Sequence, residues 1–150
     1  MKHKHAIELA VIVGLLCSLI AGCAGTPKMS RWSPPTKLSY ERVYNAALAA
    51  ATANQFTVVT QDRASGIISL RKEMYAGDKM AERRMSVRVK QVADKIEVST
   101  NVSGSDFGVI EGTLGGAVHK EITNNFYHYL FRELDITDPS ARNVVIEDAY

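Results

Sequence analysis

The stretch "RMSVRVKQVADKIEVSTNV", residues 84–102, decides the fold of this chain because apolar and polar residues alternate on both sides of a short turn. Alternation with a period of two is typical of a β-strand that buries one face. The apolar positions are Met85, Val87, Val89, Ile96, Val98 and Val102. The stretch therefore predicts an antiparallel hairpin with one apolar and one polar face.

The register of this hairpin follows from matching its two faces. If Ala93-Asp94 forms the tip, all apolar residues fall on one side of the hairpin and a salt bridge falls on the other. A slip by one residue would set Val87 against Asn101, so the first register is favoured. The predicted pairs are Val89 with Val98, Met85 with Val102, and Lys90 with Glu97.

Two amphipathic helices are predicted, one before and one after the strands in the sequence. The first begins at the N-cap Ser39 and ends near Asn54, and the second ends near Leu134, before Asp138-Pro139. Their apolar residues recur at helical spacing. In the first helix these are Tyr40, Val43, Tyr44, Ala47, Leu48 and Ala51, and in the second Val118, Ile122, Phe126, Tyr129, Leu130 and Leu134.

Another strand pair precedes the hairpin. Residues 56–60 and 67–71 are rich in β-branched residues, and residues 62–66 have the composition of a turn. Residues 73–82 are predicted to form a long loop. The order α-β-β-β-β-α predicts a two-layer α+β domain over residues 38–137, in which two helices cover one face of an antiparallel sheet.

The N-terminus has the three regions of a secretory signal peptide. A basic leader is followed by an apolar run over residues 9–21, and small residues stand at its end. The run is too short to span a bilayer, which needs about 20 apolar residues. The end of the run, Ile20-Ala21-Gly22-Cys23, resembles the lipobox of bacterial lipoproteins.

This resemblance implies cleavage of residues 1–22 and acylation of Cys23. A diacylglycerol on the thiol and an acyl group on the new amine would anchor the chain to a membrane, because two or more acyl chains bind stably. Ala24 in place of aspartate implies an outer-membrane location, facing the periplasm. Residues 23–37 are then predicted to be a lipidated tether and residues 138–150 a C-terminal tail. Trp32, in the predicted tether, could lie at the lipid headgroups or dock onto the domain.

A second resemblance covers residues 40–68. The pattern Tyr40…Val43-Tyr44…Ala47-Leu48…Phe56-Thr57-Val58…Asp62-Arg63-Ala64-Ser65-Gly66-Ile67-Ile68 resembles the opening of a helix-grip domain. Such domains occur in the C lipoprotein of the outer-membrane β-barrel assembly machine and in small uncharacterised lipoproteins. The resemblance implies a helix-grip fold. It does not imply the partner of the assembly-machine lipoprotein, because this chain has one such domain and a short tether.

Composition narrows the possible functions. The chain has 18 Lys and Arg against 16 Asp and Glu, and the predicted leader takes away two of the former and one of the latter. A nearly neutral domain is not expected to bind nucleic acid. Cys17 leaves with the leader and Cys23 becomes a thioether, so the mature domain is expected to have no disulfide.

No pattern in the chain indicates catalysis, a metal site or a cofactor. His119 and His128 are nine residues apart on one helix and point in different directions, so they are not expected to share a metal. Glycines recur at positions 104, 108, 112 and 116, and they predict a loop that runs into a helix start rather than a phosphate-binding loop, which would need a lysine. The chain is therefore expected not to be an enzyme.

A row of basic residues is the candidate interaction face. Arg84, Arg88 and Lys90 lie on the polar face of the hairpin, where they could contact anionic headgroups, cell-wall polymer or an acidic protein, or could simply be solvated. The first hypothesis is an adaptor that binds an envelope protein or polymer. The alternative is a carrier with an apolar cavity of about 300 Å³ or more beneath Phe126 and Tyr44. Oligomeric state and partner identity are not predictable from these residues.

Overall fold

The protein is seen here in a computed structural model that describes residues 28–34, 37–76, 79–104 and 114–148. Its elements, in chain order, are β1 (Lys28–Trp32), α1 (Tyr40–Ala53), β2 (Thr57–Asp62), β3 (Ile67–Ala76), β4 (Lys79–Val92), β5 (Lys95–Gly104), α2 (Leu114–Glu133), a 3₁₀ turn (Pro139–Arg142) and β6 (Val145–Asp148). The signal peptide and Cys23 lie outside the described residues.

The six strands form one antiparallel sheet in the order β2-β3-β4-β5-β1-β6. Both helices lie on one face, where α1 packs over β4 and β2, α2 packs over β5 and β1, and the helices contact each other. The predicted class, a two-layer α+β fold with two helices covering one face of an antiparallel sheet, is confirmed. We call the helix side the covered face and the other side the open face.

The central hairpin has the predicted register. Val89 pairs with Val98, Met85 with Val102 and Lys90 with Glu97, and Val92 pairs with Lys95 around the Ala93-Asp94 tip. The six predicted apolar residues of the hairpin, Met85, Val87, Val89, Ile96, Val98 and Val102, are buried against the helices, whereas Arg84, Arg88 and Lys90 are exposed. Alternation thus placed these residues on the correct faces, and Val92, at the end of β4, is exposed on the open face.

Both helices also follow their predicted patterns. The Ser39 side chain accepts a hydrogen bond from the backbone N–H of Arg42 at 3.3 Å, and Asn54 is the C-cap of α1. In α2, Tyr127 and Phe131 are buried in addition to the predicted Ile122, Phe126, Leu130 and Leu134, whereas the predicted Val118 and Tyr129 are partly buried. The buried face of α2 is wider than predicted because the Trp32 ring, on β1, packs edge-on against Phe131 at 5.0 Å.

The turn between β2 and β3 carries the sequence pattern that resembles a helix-grip domain, and its residues fix the turn to α1. Arg63 places its guanidinium 2.6 Å from a Glu41 oxygen and 5.2 Å from the centre of the Tyr44 ring. Gly66 has a φ of +72°, and a Cβ there would lie 1.9 Å from the Val89 carbonyl oxygen. Only glycine fits that position, so the pattern has a structural explanation.

Asp62 closes the same turn from its other side. Its carboxylate accepts hydrogen bonds from the Ser65 hydroxyl at 2.7 Å and from the backbone N–H groups of Ala64 and Ser65. The hydrogen bond from the Ser65 side chain is the main reason that the pKa of Asp62 lies below its ordinary value. These hydrogen bonds to the ionised form favour the charged carboxylate and a rigid turn.

The predicted loop over residues 73–82 is wrong. β3 continues to Ala76 and β4 begins at Lys79, with Glu73 opposite Glu82 and Tyr75 opposite Met80. The sequence pattern failed here because both strands extend beyond β5, where polar residues occupy many of their positions. Gly77-Asp78 lies outside the described residues.

The predicted domain start at residue 38 is also wrong, because the tether over 23–37 contains β1. This strand lies between β5 and β6, and its Trp32 side chain is 2 % exposed. The Trp32 Nε1–H donates to the Ala141 carbonyl oxygen at 2.8 Å, so Trp32 docks onto the domain. A five-residue strand with a Ser and two basic residues gives no alternation that a sequence reading can detect.

A buried polar cluster joins β1 to the rest of the fold. The Ser30 hydroxyl lies 2.6 Å from the Thr100 hydroxyl and 3.2 Å from the Tyr127 hydroxyl, which donates to the Val98 carbonyl oxygen at 3.1 Å. Burial raises the pKa of Tyr127 to about 12, because the ionised phenolate would lose its hydration. Three hydroxyls far apart in sequence thus satisfy one another inside the core.

The predicted tail over residues 138–150 is part of the fold at least to residue 148. Asp138 caps the 3₁₀ turn by accepting a hydrogen bond from the Ser140 N–H at 2.9 Å, and β6 pairs with β1. Arg142 donates to the Ile136 carbonyl oxygen and lies over the Phe131 ring. β6 was missed because its only partner is β1, the other strand that the sequence pattern did not reveal.

Candidate functional site: the open face of the sheet

The open face contains a groove of about 590 Å³ that crosses β2 to β5. Its lining includes side chains that alternate outward from these strands and are mostly polar. They are Val59, Ser69, Arg71, Glu82, Arg84, Ser86, Asn101 and Ser103. We call this set the open-face groove.

Strand pairing explains how these residues come together. The β3 and β4 ladder sets Arg71 beside Arg84 and Ser69 beside Ser86, and the β4 and β5 ladder continues the second row to Asn101. A bulge between Val58 and Thr60 interrupts the β2 register. Val59, at this bulge, is 57 % exposed and adds an apolar surface to the groove.

The charges in the groove centre on Glu82. Its carboxylate accepts a hydrogen bond from the Arg84 Nε at 2.5 Å and lies 3.9 Å from a guanidinium nitrogen of Arg71. The Glu82 side chain is 28 % exposed, whereas Arg84 is 74 % exposed. Ion pairs this exposed contribute about 0–1 kcal/mol to stability. Both guanidiniums can therefore turn to another anion at little cost to the fold.

Asn101 adds an uncompensated acceptor to the groove lining. Its Oδ1 is shielded from solvent and accepts no hydrogen bond in the described part of the chain. A buried acceptor without a donor costs about 1–3 kcal/mol. The groove thus offers two guanidiniums, three serine hydroxyls and an amide, a set suited to a polar ligand.

The predicted basic row is present, but only part of it reaches the groove. Arg84 lines the groove, whereas Arg88 and Lys90 lie farther along β4, toward the Ala93 turn. Lys90 pairs with Glu97 in the ladder, yet no ion pair joins their side chains among the described residues. The predicted salt bridge does not form because fixing a long exposed lysine costs about as much as the pair returns.

Sequence reasoning missed the two groove residues that complete the charge set, Arg71 and Glu82. Arg71 was considered only as a possible neighbour of the row, together with Lys72 and Arg83. The ladder places Lys72 and Arg83 on the covered face, where Arg83 is 2 % exposed and the Lys72 ammonium donates to the Asn54 carbonyl oxygen. Had residues 73–82 been predicted as strand, the alternation of side chains would have assigned Arg71 to the open face and Lys72 and Arg83 to the covered face.

The two histidines line different pockets. His119 lies in a small pocket with Ser30 and Thr123, and His128 lies in another with Phe131 and Arg132. Their predicted separation is thus confirmed. Within the described residues, no three His, Cys, Asp or Glu side chains lie close enough together to hold a metal ion.

The carrier hypothesis places a cavity beneath Tyr44 and Phe126, on the covered face. Tyr44 and Phe126 are each 0 % exposed and belong to one continuous core cluster. The open-face groove and the two histidine pockets touch neither side chain. Of the glycine row, Gly108 and Gly112 lie outside the described residues, and α2 begins at Leu114. Neither described helix has the length and hydropathy needed to cross a bilayer.

Comparison with known proteins gives likeness of structure only. No protein-family model matches the chain, and no curated protein matches it. A TBP-like protein from Parabacteroides distasonis is similar at a TM-score of 0.46 and 10 % identity, over 77 % of this chain and 97 % of that one. A conserved protein from Geobacillus kaustophilus is similar at a TM-score of 0.45 and 8 % identity, over 73 % and 95 %.

A third similar structure is a protein from Thermus thermophilus, with a TM-score of 0.43 and 15 % identity, over 75 % of this chain and 100 % of that one. All three are bacterial proteins, and each is covered almost entirely by this chain. The fold of this chain is established by its own sheet order and helix packing, and no activity follows from these similarities.

Proposed function

We propose that this protein is a non-enzymatic adaptor of the cell envelope, held at the outer membrane by acyl groups on Cys23 and facing the periplasm. Its open-face groove contacts an envelope protein or a cell-wall polymer. The observation that carries the proposal is the groove itself, with Arg71 and Arg84 on either side of the Glu82 carboxylate.

The shape of the groove favours an extended partner over an enclosed small molecule. Small-ligand sites usually bury 70–90 % of their ligand in a mostly apolar pocket, roughly 300–1,000 Å³ in volume. The open-face groove has a volume in this range, but it is open to solvent along the sheet and does not enclose a ligand. A peptide segment or a polymer strand can cross such a groove and leave on both sides.

The chemistry of the groove favours a partner with carboxylates. Planar guanidiniums bind carboxylates through two parallel hydrogen bonds. Arg71 and Arg84 provide two guanidiniums in the groove lining. Peptides and the peptide-bearing polymers of cell walls carry carboxylates.

The anchor is supported by the sequence alone. Residues 1–22 have the regions of a signal peptide and end at the lipobox cysteine. An adaptor needs to stay at one surface while it binds, and a doubly or triply acylated cysteine provides this. No catalytic residue is proposed.

Site-specific photo-crosslinking in the host's living cells tests the adaptor role. A photoreactive residue at Ser86, in the groove, is compared with one at Asn125, on the exposed side of α2. We expect a reproducible adduct from position 86 only, and a weaker adduct when Arg84→Ser is added. A shift in the electrophoretic mobility of the adduct that cell-wall hydrolases remove would identify a polymer as the partner. A discrete adduct band of higher mass would identify a protein. Equal adducts from both positions, or none from position 86, would contradict the proposal.

A further inference from the structure

The β3 and β4 strands extend beyond the rest of the sheet. β5 ends at Gly104, which pairs with Arg83, and the ladder between β3 and β4 continues from there to the pair Ala76 and Lys79. We call residues 72–76 with 79–83 the β3–β4 arm. The central hairpin needs no such extension, so the arm calls for an explanation of its own.

The arm exposes two large hydrophobic side chains near its end. Tyr75 and Met80 pair across the two strands and point to the open face, with exposed fractions of 68 % and 58 %. They are the two most exposed large hydrophobic residues in the described part of the chain. Tyrosine concentrates at membrane headgroups, where its ring meets apolar groups and its hydroxyl meets water.

The charges on the open face of the arm are balanced. Arg71 and Arg84, at its base, lie on the same face as Glu73 and Glu82 and within ion-pair distance of them. The Tyr75 hydroxyl donates to a Glu73 carboxylate oxygen at 3.1 Å, while Lys72 and Arg83 lie on the covered face. Exposed apolar groups with polar groups beside them suit the headgroup layer of a phospholipid membrane.

The short segment between Cys23 and β1 limits the distance between the arm and a membrane that holds the acyl groups. Strand pairing places Met29 beside Asn101 and Asn101 beside Ser86. From Ser86, β4 extends seven residues toward its start at Lys79, which is the end of the arm. At about 3.3 Å per residue this is roughly 23 Å. Cys23 precedes Met29 by six residues, which reach at most about 22 Å when extended. A lipid on Cys23 therefore cannot lie far beyond the end of the arm.

The direction of β1 places the arm at the end of the domain that is nearer to Cys23. β1 starts at the end of the sheet from which the arm projects, because Lys28 lies toward the Gly104 end of β5.

We propose that the β3–β4 arm contacts the headgroup layer of a phospholipid membrane through Tyr75 and Met80. This inference rests on the proposed acylation of Cys23. The arm and the lipid are then two points of contact, and together they hold the sheet upright on the membrane. The open-face groove lies directly above the arm, so it would face partners at a fixed height.

Fluorophores at matched positions on one strand test this orientation. Met80→Cys and Val92→Cys place a label at the two ends of β4, on the same face and at exposed positions, and Val145→Cys reports on β6. In acylated protein extracted from membranes, each new thiol is the only free one. An environment-sensitive label is read in vesicles of phosphatidylethanolamine and phosphatidylglycerol that contain a nitroxide-labelled lipid.

We expect flotation of all three variants with the vesicles, and quenching roughly threefold stronger at position 80 than at position 92 or 145, as expected for a site at headgroup depth. Flotation without quenching at position 80, or with stronger quenching at position 145, would overturn the arm contact alone. Failure of acylated-size protein to float would overturn both this contact and the anchor.

Discussion

The two faces of the sheet are built from alternate residues of the same strands, and they have opposite roles. On β4, Met85, Val87 and Val89 are at most 1 % exposed, whereas Arg84, Arg88 and Lys90, which alternate with them, are exposed. The covered face is packed by both helices. The open face is polar and holds the groove. Residues on the open face can change without loss of the core, and this is where a binding surface can evolve.

The largest effect is expected on the covered face. Phe126→Ala removes a fully buried ring from the core and should lower the free energy of unfolding by about 3–5 kcal/mol. Met80→Ala, on the open face, is the control and should change it by less than about 0.5 kcal/mol. Urea unfolding followed by circular dichroism measures both. Similar losses in the two variants would remove the distinction between the faces.

Alkaline pH should weaken the covered face through Tyr127. Its pKa is about 12 in the folded protein and 10.0 as the model value for an unperturbed tyrosine. The folded state therefore holds the phenol proton more tightly, and this stability is complete below pH 10 and is lost as the pH rises toward 12. Between these values the loss should be up to about 1.4 kcal/mol per pH unit.

The check is urea unfolding at pH 9, 10 and 11 for the natural chain and Tyr127→Phe. The difference in free energy of unfolding between the natural chain and the variant should shrink as the pH rises, because the variant has no phenol to ionise at this position. A difference that stays constant over this range would show that Tyr127 is hydrated in the folded state.

Two buried tyrosines sharpen the comparison within the covered face. Tyr127→Phe removes the hydroxyl that bonds Ser30 and the Val98 carbonyl, and should cost about 1 kcal/mol at neutral pH. Tyr44→Phe removes a buried hydroxyl that has no hydrogen-bond partner in the described part of the chain, and should be neutral or stabilising. Thermal unfolding of both variants distinguishes them, and a larger loss for Tyr44→Phe would refute this account of the core.

The smallest effect on stability is expected in the groove. Arg84→Ser breaks an exposed ion pair with Glu82 and should change the free energy of unfolding by less than about 0.5 kcal/mol. Arg88→Ser, outside the groove on the same strand, is the matched control. Partner capture should fall with Arg84→Ser and persist with Arg88→Ser. Equal loss in both variants would instead indicate a diffuse basic face.

Much of the fold could be predicted because its central parts are strongly periodic. Local patterns, reinforced by tertiary packing, determine the register between β4 and β5, the two caps of α1 and the buried stripes of both helices. β1 and β6 could not be predicted in the same way. They are five and four residues long, and only their neighbours in the sheet make them strands.

The candidate site was predicted only in part for a related reason. Arg84 was found because it lies on a strand that the pattern identified. Glu82 lies in the extension of β3 and β4, which was read as a loop, and Arg71 meets Arg84 through the β3–β4 pairing, whose register was not predicted. The bulge that presents Val59 has no signal in the sequence, since a single extra residue leaves the composition of β2 unchanged.

The most direct test of the central claim is the intact mass of the chain extracted from its host's membranes. The account predicts a polypeptide that lacks residues 1–22 and carries two or three acyl chains at Cys23. It also predicts that Cys23→Ser leaves the leader attached and adds no lipid. An unmodified mass for the extracted chain, with Met1 retained, would contradict the proposed anchor and the membrane orientation that depends on it.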